Sequence, residues 1–252
     1  MLSLTEPFRP AKADWLQAAL VAMALCGLYA ATAPRTVAPE DDGFFILSSY
    51  FLGIEHPPGY PLYTLLGHVF THLPFGSVAY RVHLLSALCG GLTGAALWLC
   101  TRTLVPGRLP AYLAAFGLGL SPAFWSQSII AEVYTLNTFF FLVLVYLGLQ
   151  LCPPGPQPAP GREGRRIAPW MALVFGLSLS NHWPLMLLVA PAFAILLWPM
   201  REELASRLSL LAGLVFLGLV PYAWMVRRSW MGLSFESPAV GERIAARVLS
   251  QR

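Results

Sequence analysis

Four of the twelve acidic residues of this chain, Glu40, Asp41, Asp42 and Glu55, fall within a 32-residue stretch, "TVAPEDDGFFILSSYFLGIEHPPGYPLYTLLG". Carboxylates held against apolar surface are costly and are kept mainly where they do chemistry. Asp41 and Asp42 are candidates for a general base that takes a proton from a hydroxyl. They are equally candidates for a divalent metal. Either aspartate can instead act as N-cap of the apolar helix that follows Gly43. Beside them, His56-Pro57-Pro58-Gly59-Tyr60-Pro61 is stiffened by three prolines, and His56 and Tyr60 offer polar ring atoms there. Further polar groups stand at the ends of apolar runs: Glu132 in "SIIAEVYTLN", and Asn181 and His182 in "SLSNHWP". Arg81, Arg227 and Arg228 suit either snorkelling to lipid headgroups or bidentate recognition of a phosphate. His68 and His72 have helical i,i+4 spacing but no third ligand, so they read as an interfacial surface rather than a zinc site.

The elements that must position these groups are membrane helices. Of 252 residues, 57% are hydrophobic and 11% charged, against about 25% charged in soluble domains. Several apolar runs approach the roughly 20 residues that span a bilayer. Seven spans are expected, at about Trp15–Ala33, Val78–Leu99, Leu109–Phe124 and Val133–Leu151, then two sharing Ala168–Pro199 and split at "SNHWP", and a last at Leu208–Val226. The organisation is a cytoplasmic N-terminus (1–14), a transmembrane domain (15–226) and a tail (227–252) expected on the outer face. Within the domain lie an outer loop (34–77) with two interfacial helices and a Pro/Gly-rich cytoplasmic linker (152–167). The first span is expected to direct insertion without cleavage.

Orientation follows the excess of basic residues on cytoplasmic loops. With the N-terminus inside, Arg9, Lys12, Arg102, Arg108, Arg162, Arg165, Arg166, Arg201 and Arg207 fall inside, and only Arg35 and Arg81 fall in outer loops before the tail. The stretch around Asp41, the "WSQSIIAE" turn and the "SNHW" turn then share the outer face. The net charge of +4 forms no basic stripe with interleaved aromatics, which argues against a nucleic-acid partner. The four cysteines have no C-x-x-C spacing and read as small apolar side chains. Walker, G-x-G-x-x-G and G-x-S-x-G motifs are absent, so an outer-face enzyme would need a substrate already activated in the membrane.

The run from Pro34 to Leu88, with "WSQSIIAEVYTLN", "GLSLSNHW" and "GLVPYAWMVRRSW", resembles the membrane family once filed as domain of unknown function 2723, whose animal members include a transmembrane protein O-mannosyltransferase. The resemblance implies an all-α, multi-pass GT-C-like bundle and transfer of a sugar from a polyprenyl-phosphate donor to a protein, lipid or glycan acceptor. The site would face the periplasm, the outside, or the lumen of the endoplasmic reticulum. The family's Gly-Asp-Ser-Gly-Glu pattern falls on Glu40-Asp41-Asp42-Gly43-Phe44. Asp41 thus matches the family aspartate, the catalytic base of inverting members. Asp42 stands where Ser is common, which leaves Asp42 a rival, and Phe44 replaces an acid. The resemblance also implies that Arg81, Arg227 and Arg228 stabilise the leaving phosphate, and that His56, Tyr60, Glu132, Asn181 and His182 orient sugar or acceptor. No cofactor is required by the residues, and metal dependence is left open. Expected partners are membrane lipid, the lipid-linked donor and the acceptor. Longer family members continue past the tail, so the chain reads as a truncated or minimal version. The alternative is a non-catalytic scaffold subunit working with additional membrane subunits. A lipid-linked-sugar flippase ranks last, because the spans carry little charge.

Overall fold

The computed structural model describes residues 10–152 and 164–230. Most of the linker and tail therefore lie outside the described residues. All regular elements within them are helical: α1 Lys12–Thr32, α2 Asp42–Phe51, α3 Pro61–Thr71, α4 Val78–Leu104, α5 Leu109–Gly119, α6 Pro122–Ser128, α7 Tyr134–Leu151, α8 Gly164–Leu197, α9 Arg201–Ala205, α10 Leu208–Gly218 and α11 Val220–Trp230. Two helices form in the first loop, α2 and α3, where two were expected.

Hydrogen bonds and ion pairs set the directions. Asp14, at the start of α1, pairs with Arg102 (3.7 Å) at the end of α4 and with Arg108 (3.2 Å) just before α5. At the opposite end the Tyr80 hydroxyl donates to the Ala30 carbonyl (3.0 Å), so α1 and α4 are antiparallel. Tyr29 donates to Gly119 O (2.7 Å), which brings the end of α5 to the end of α1. Helix α7 runs with α4: Thr93 donates to Thr135 O (3.2 Å) and Cys100 to Leu142 O (3.4 Å). In lipid no hydrophobic force separates helix from tail, so close packing and such bonds hold helices together. Small residues of α4, in "SALCGGLTGAA", permit that approach.

Helix α8 doubles back. His182 has φ −150° and ψ 82°, outside the helical region, and Pro184 supplies no N–H to bridge the break. A Cβ on Gly148 of α7 would lie 2.7 Å from Leu196 and 3.8 Å from Met171. In a straight helix rising 1.5 Å per residue those two would be about 38 Å apart. The "SNHWP" break is therefore the tip of a hairpin. Returning from it, the chain passes α9 and enters α10, which crosses the first limb of α8 at Gly176: a Cβ there would sit 2.3 Å from the Val215 carbonyl oxygen. Helices α10 and α11 are bent by 43° at Leu219.

Among the described residues, four helices are long and apolar enough to cross a membrane, or five if the bent pair α10–α11 counts as one span. The expected count was seven. The difference lies in α5, whose 11 residues stop at Leu120–Ser121 before α6 begins, and in α8, whose two limbs on either side of His182 are counted as one helix. One end of the bundle collects α2, α3, α11, the 129–133 loop and the α8 tip. The other collects Asp14, Arg102, Arg108, Leu197 and Arg201.

Candidate active site

The two aspartates at the start of α2 have opposite situations. Asp42 is fully buried. Its Oδ2 accepts from the Ala38 N–H (2.7 Å), and its Oδ1 accepts from the Ala131 N–H (2.6 Å) and meets His83 Nε2 at 2.8 Å. The other ring nitrogen of His83 faces the Pro34 carbonyl (3.0 Å). Both nitrogens face oxygens, so the set is fully satisfied when the ring carries both hydrogens and Asp42 is ionised. Asp42 thus ties the first loop, α4 and the 129–133 loop into one body and has no free oxygen for a substrate. Asp41 occupies the N-cap position, but its side chain makes no capping bond; its carbonyl accepts from the Phe44 and Phe45 N–H groups. Its carboxylate is 53% exposed, with His56 Nε2 3.5 Å away. Glu40, just before it, holds φ at 71°, a left-handed conformation that a non-glycine residue adopts at some cost and that often marks functional segments.

The His-Pro-Pro-Gly-Tyr-Pro turn aims the His56 ring at this carboxylate and packs Tyr60 behind it. Pro57–Pro58 is cis, and Gly59 has φ +76° with Met225 of α11 so close that a Cβ would lie 2.5 Å from its sulfur. Only glycine fits that approach. His56 Nδ1 lies 3.1 Å from the Pro57 carbonyl, which leaves the buried Nε2 facing Asp41. Tyr60 packs edge-on to His56 (5.5 Å between ring centres), against Phe45 (5.4 Å), and stacks on His182 (5.6 Å, 24°). Burial, and then the nearby Glu55, push the Tyr60 hydroxyl up to about 12. The His182 ring also meets Tyr134 at 6.1 Å. Its neighbour Asn181 is fully buried and donates to the Val133 carbonyl (3.1 Å), which fastens the α8 tip to the third loop; its Oδ1 has no partner.

Two buried carboxyls complete the cluster. Glu132 is 4% exposed; burial, and then Asp41 and the other nearby acids, raise it to about 7 although the Val133 N–H donates to it (3.3 Å). Glu55 is 5% exposed and accepts from the hydroxyls of Ser48 and Thr64, while its Oε2 lacks a partner. Burial, with the charges of Glu132 and Asp41, raises it to about 8. Near neutral pH the cluster therefore holds two buried carboxyls able to keep a proton, beside the exposed side chain of Asp41.

Of the residues singled out in the sequence, Asp41, His56, Tyr60, Glu132, Asn181 and His182 are brought together. The arginines behave differently. Arg81 spends its guanidinium on the carbonyls of Thr71 (2.9 Å), Phe75 (2.8 Å) and Gly76 (2.9 Å), closing the turn between α3 and α4. Arg228 donates to Leu52 O and Phe51 O (2.8 Å each), capping the end of α2. Arg227, one residue away, is exposed. Sequence reasoning left Glu55, Tyr134 and His83 out of the site. The signal for Glu55 was its place beside His56; nothing local marks His83. Among the described residues, no group of three or more His, Cys, Asp or Glu side chains is arranged to hold a metal ion. His68 and His72 face the carbonyls of Ser49 and His68 respectively (2.8 Å each).

Residues 41–206 match the family described as Protein O-mannosyl-transferase TMEM260 N-terminal domain. The chain is 34% identical over 211 residues to the mouse (Mus musculus) Protein O-mannosyl-transferase TMEM260, covering 82% of this chain and 29% of that protein. It is 30% identical over 207 residues to Protein O-mannosyl-transferase tmem260 of Dictyostelium discoideum, covering 77% of this chain and 25% of that protein. The chain thus spans about a quarter to three tenths of the length of these curated relatives. No solved structure matches it. The matched segment begins at Asp41 and takes in every gathered site residue, and on that match the chain belongs to the TMEM260 N-terminal-domain family.

Proposed function

We propose that this chain is the membrane-embedded, GT-C-like part of a glycosyltransferase that moves a sugar, mannose by analogy with its relatives, from a polyprenyl-phosphate donor to a protein hydroxyl. The observation that carries the proposal is the placement of Asp41: an exposed carboxylate, unused by its helix cap, facing His56 in a cluster of polar side chains drawn from separate loops. In the proposed step Asp41 accepts the proton of the acceptor hydroxyl as its oxygen attacks the anomeric carbon, and the bond from that carbon to the donor phosphate breaks. Polyprenyl phosphate leaves with the bonding pair. His56 orients Asp41. Protonated Glu132 donates a hydrogen bond to the sugar, and the stacked Tyr60–His182 pair packs beside His56. Arg227 is the cation proposed to meet the leaving phosphate, since Arg81 and Arg228 are engaged with backbone carbonyls. The chain would cross the membrane seven times, the α5–α6 pair and each limb of α8 counting as passes, with the site on the outer or lumenal face. Membership in the family once filed as domain of unknown function 2723 belongs to the same proposal.

The test is transfer from polyprenyl-phosphate mannose to a protein acceptor in liposomes. Asp41→Asn is expected to lower turnover at least about 100-fold, the scale of one general base. Full activity in that variant sinks the assignment. A second proposal, a scaffold lacking activity by itself, draws on the short coverage of the relatives. It is favoured if the intact chain transfers nothing but co-purifies with other membrane subunits.

A further inference from the structure

At the end of the bundle away from the candidate site, α7, both limbs of α8, α9 and α10 enclose a cavity of about 460 Å³. We infer that it holds one chain of a membrane phospholipid, with the anionic headgroup at Arg201. The cause of the void lies in the sequence: Ala168 and Ala172 on one limb, and Ala190 and Ala194 on the other, put methyl groups at i,i+4 spacing where larger side chains would close it. Arg201 is the only polar side chain in the lining. A buried water needs two to four polar partners, and the interior of this cavity offers none. The occupant is therefore apolar. Its size is limited as well. A helix is about 10 Å across, so a 15 Å length fills about 1,200 Å³, well beyond this space, whereas a single hydrocarbon chain fits.

The mouth identifies the source. Ala194, Ala205 and Leu208 are exposed there. Trp198, 64% exposed, lies under the Arg201 guanidinium at 5.4 Å. Tryptophan favours the boundary between headgroups and tails, so the cavity opens at headgroup level. Arg201 contacts the Trp198 carbonyl (3.4 Å) and Glu202 (3.3 Å); both bonds are long and solvent-facing, so a phosphate can replace them. Arg207 pairs with Glu203 (3.3 Å), while the Arg201 guanidinium, more than half exposed at the mouth, is the cation an anionic headgroup would meet.

The experiment is native mass spectrometry of the full chain in mild detergent, loaded with palmitoyl-oleoyl phosphatidylglycerol or phosphatidylcholine. The expected result is one phospholipid per chain, with phosphatidylglycerol preferred about fivefold, the effect of one arginine at a lipid surface. The double variant Ala172→Phe/Ala194→Phe should lose the bound lipid. Arg201→Gln should keep one lipid but lose the preference. The inference is overturned if the wild type carries no phospholipid, a variable number, or only detergent or peptide, or if the filled variant binds as before. Should the filled variant fail to fold, wild-type stoichiometry and Arg201→Gln still decide. None of these readouts involves sugar transfer, so the inference stands or falls separately from the proposed activity.

Discussion

Asp41 and Asp42 are the same residue type in adjacent positions, and the structure gives them different work. Asp42→Ala would strand three donors, the N–H groups of Ala38 and Ala131 and the His83 ring. Removing one partner of a buried charge set costs about 3–5 kcal/mol, so thermal unfolding in detergent should show a large loss. Asp41→Asn, at an exposed carboxylate, should leave the melting temperature nearly unchanged, within about 0.5 kcal/mol, while removing transfer. Equal destabilisation by both would refute the division of roles. The raised carboxyls make a second prediction. Glu132 is held at about 7 and Glu55 at about 8, both above the ordinary 4.5. Between pH 4.5 and these values the folded state keeps protons that the unfolded chain has released. Stability therefore falls as pH rises from about 4.5 to about 8, then levels off. Glu132→Gln should remove about half of the slope between about 4.5 and about 7, and Glu55→Gln the other half there together with the part from about 7 to about 8. A melting-temperature series from pH 4 to 9 reads both; unchanged slopes in the variants would overturn the account. Sequence alone could place an acidic patch beside a rigid turn, but could not choose between the aspartates. The choice depends on His83, 41 residues further on, and on the Ala131 N–H, 89 residues on. Arg81 misled for a similar reason: its type suits a phosphate, yet the carbonyls of Thr71, Phe75 and Gly76 surround it in space.

At the scale of elements, the helices were legible wherever an apolar run ended in a clear breaker. "SNHWP" announced a break, and the reversal at His182 follows from it. The two helices of the first loop were visible because each was a short run rich in apolar residues. The third expected span was less clear: hydropathy continues from Leu109 to Phe124, while Pro122 interrupts the helix and splits it into α5 and α6. Contacts between helices were not legible at all, because a glycine in an apolar run looks the same whether it faces lipid or another backbone. Gly176 and Gly213 illustrate this. A Cβ at Gly176 would meet the Val215 carbonyl oxygen at 2.3 Å, and one at Gly213 would meet nothing within 4 Å. Gly176→Ala should push α10 off the first limb of α8 and cost about 1–3 kcal/mol. Gly213→Ala, in the same region, should be neutral or slightly stabilising, because alanine favours helix. Denaturant melts of the two variants separate the cases, and equal effects would show that α10 does not cross α8 at Gly176.

For the whole molecule the decisive property is which end faces which side of the membrane. Among the described residues the site end carries Arg35, Arg81, Arg227 and Arg228, and the opposite end Arg102, Arg108, Arg166, Arg201 and Arg207, so these arginines do not choose a side and labelling has to. Helix directions make this testable at single residues. Val37 precedes α2 at the site end, Val105 joins α4 to α5 at the opposite end, Ser126 lies in α6, and Ser206 follows α9. All four are exposed. If α5 and α6 together make one pass, and the α8 hairpin makes two, then Val37→Cys and Ser126→Cys react with a membrane-impermeant maleimide in intact cells. Val105→Cys and Ser206→Cys react only after permeabilisation. The four native cysteines are first replaced by alanine, since Cys26 and Cys152 are only half-buried. Labelling of Ser126→Cys on the same side as Val105→Cys would make α5–α6 re-entrant and remove one pass. Labelling of Val37→Cys on the same side as Ser206→Cys would put Asp41 and the opposite end in one compartment. The bundle would then not separate its two ends across a membrane, and the proposed outer or lumenal position of the site would fall.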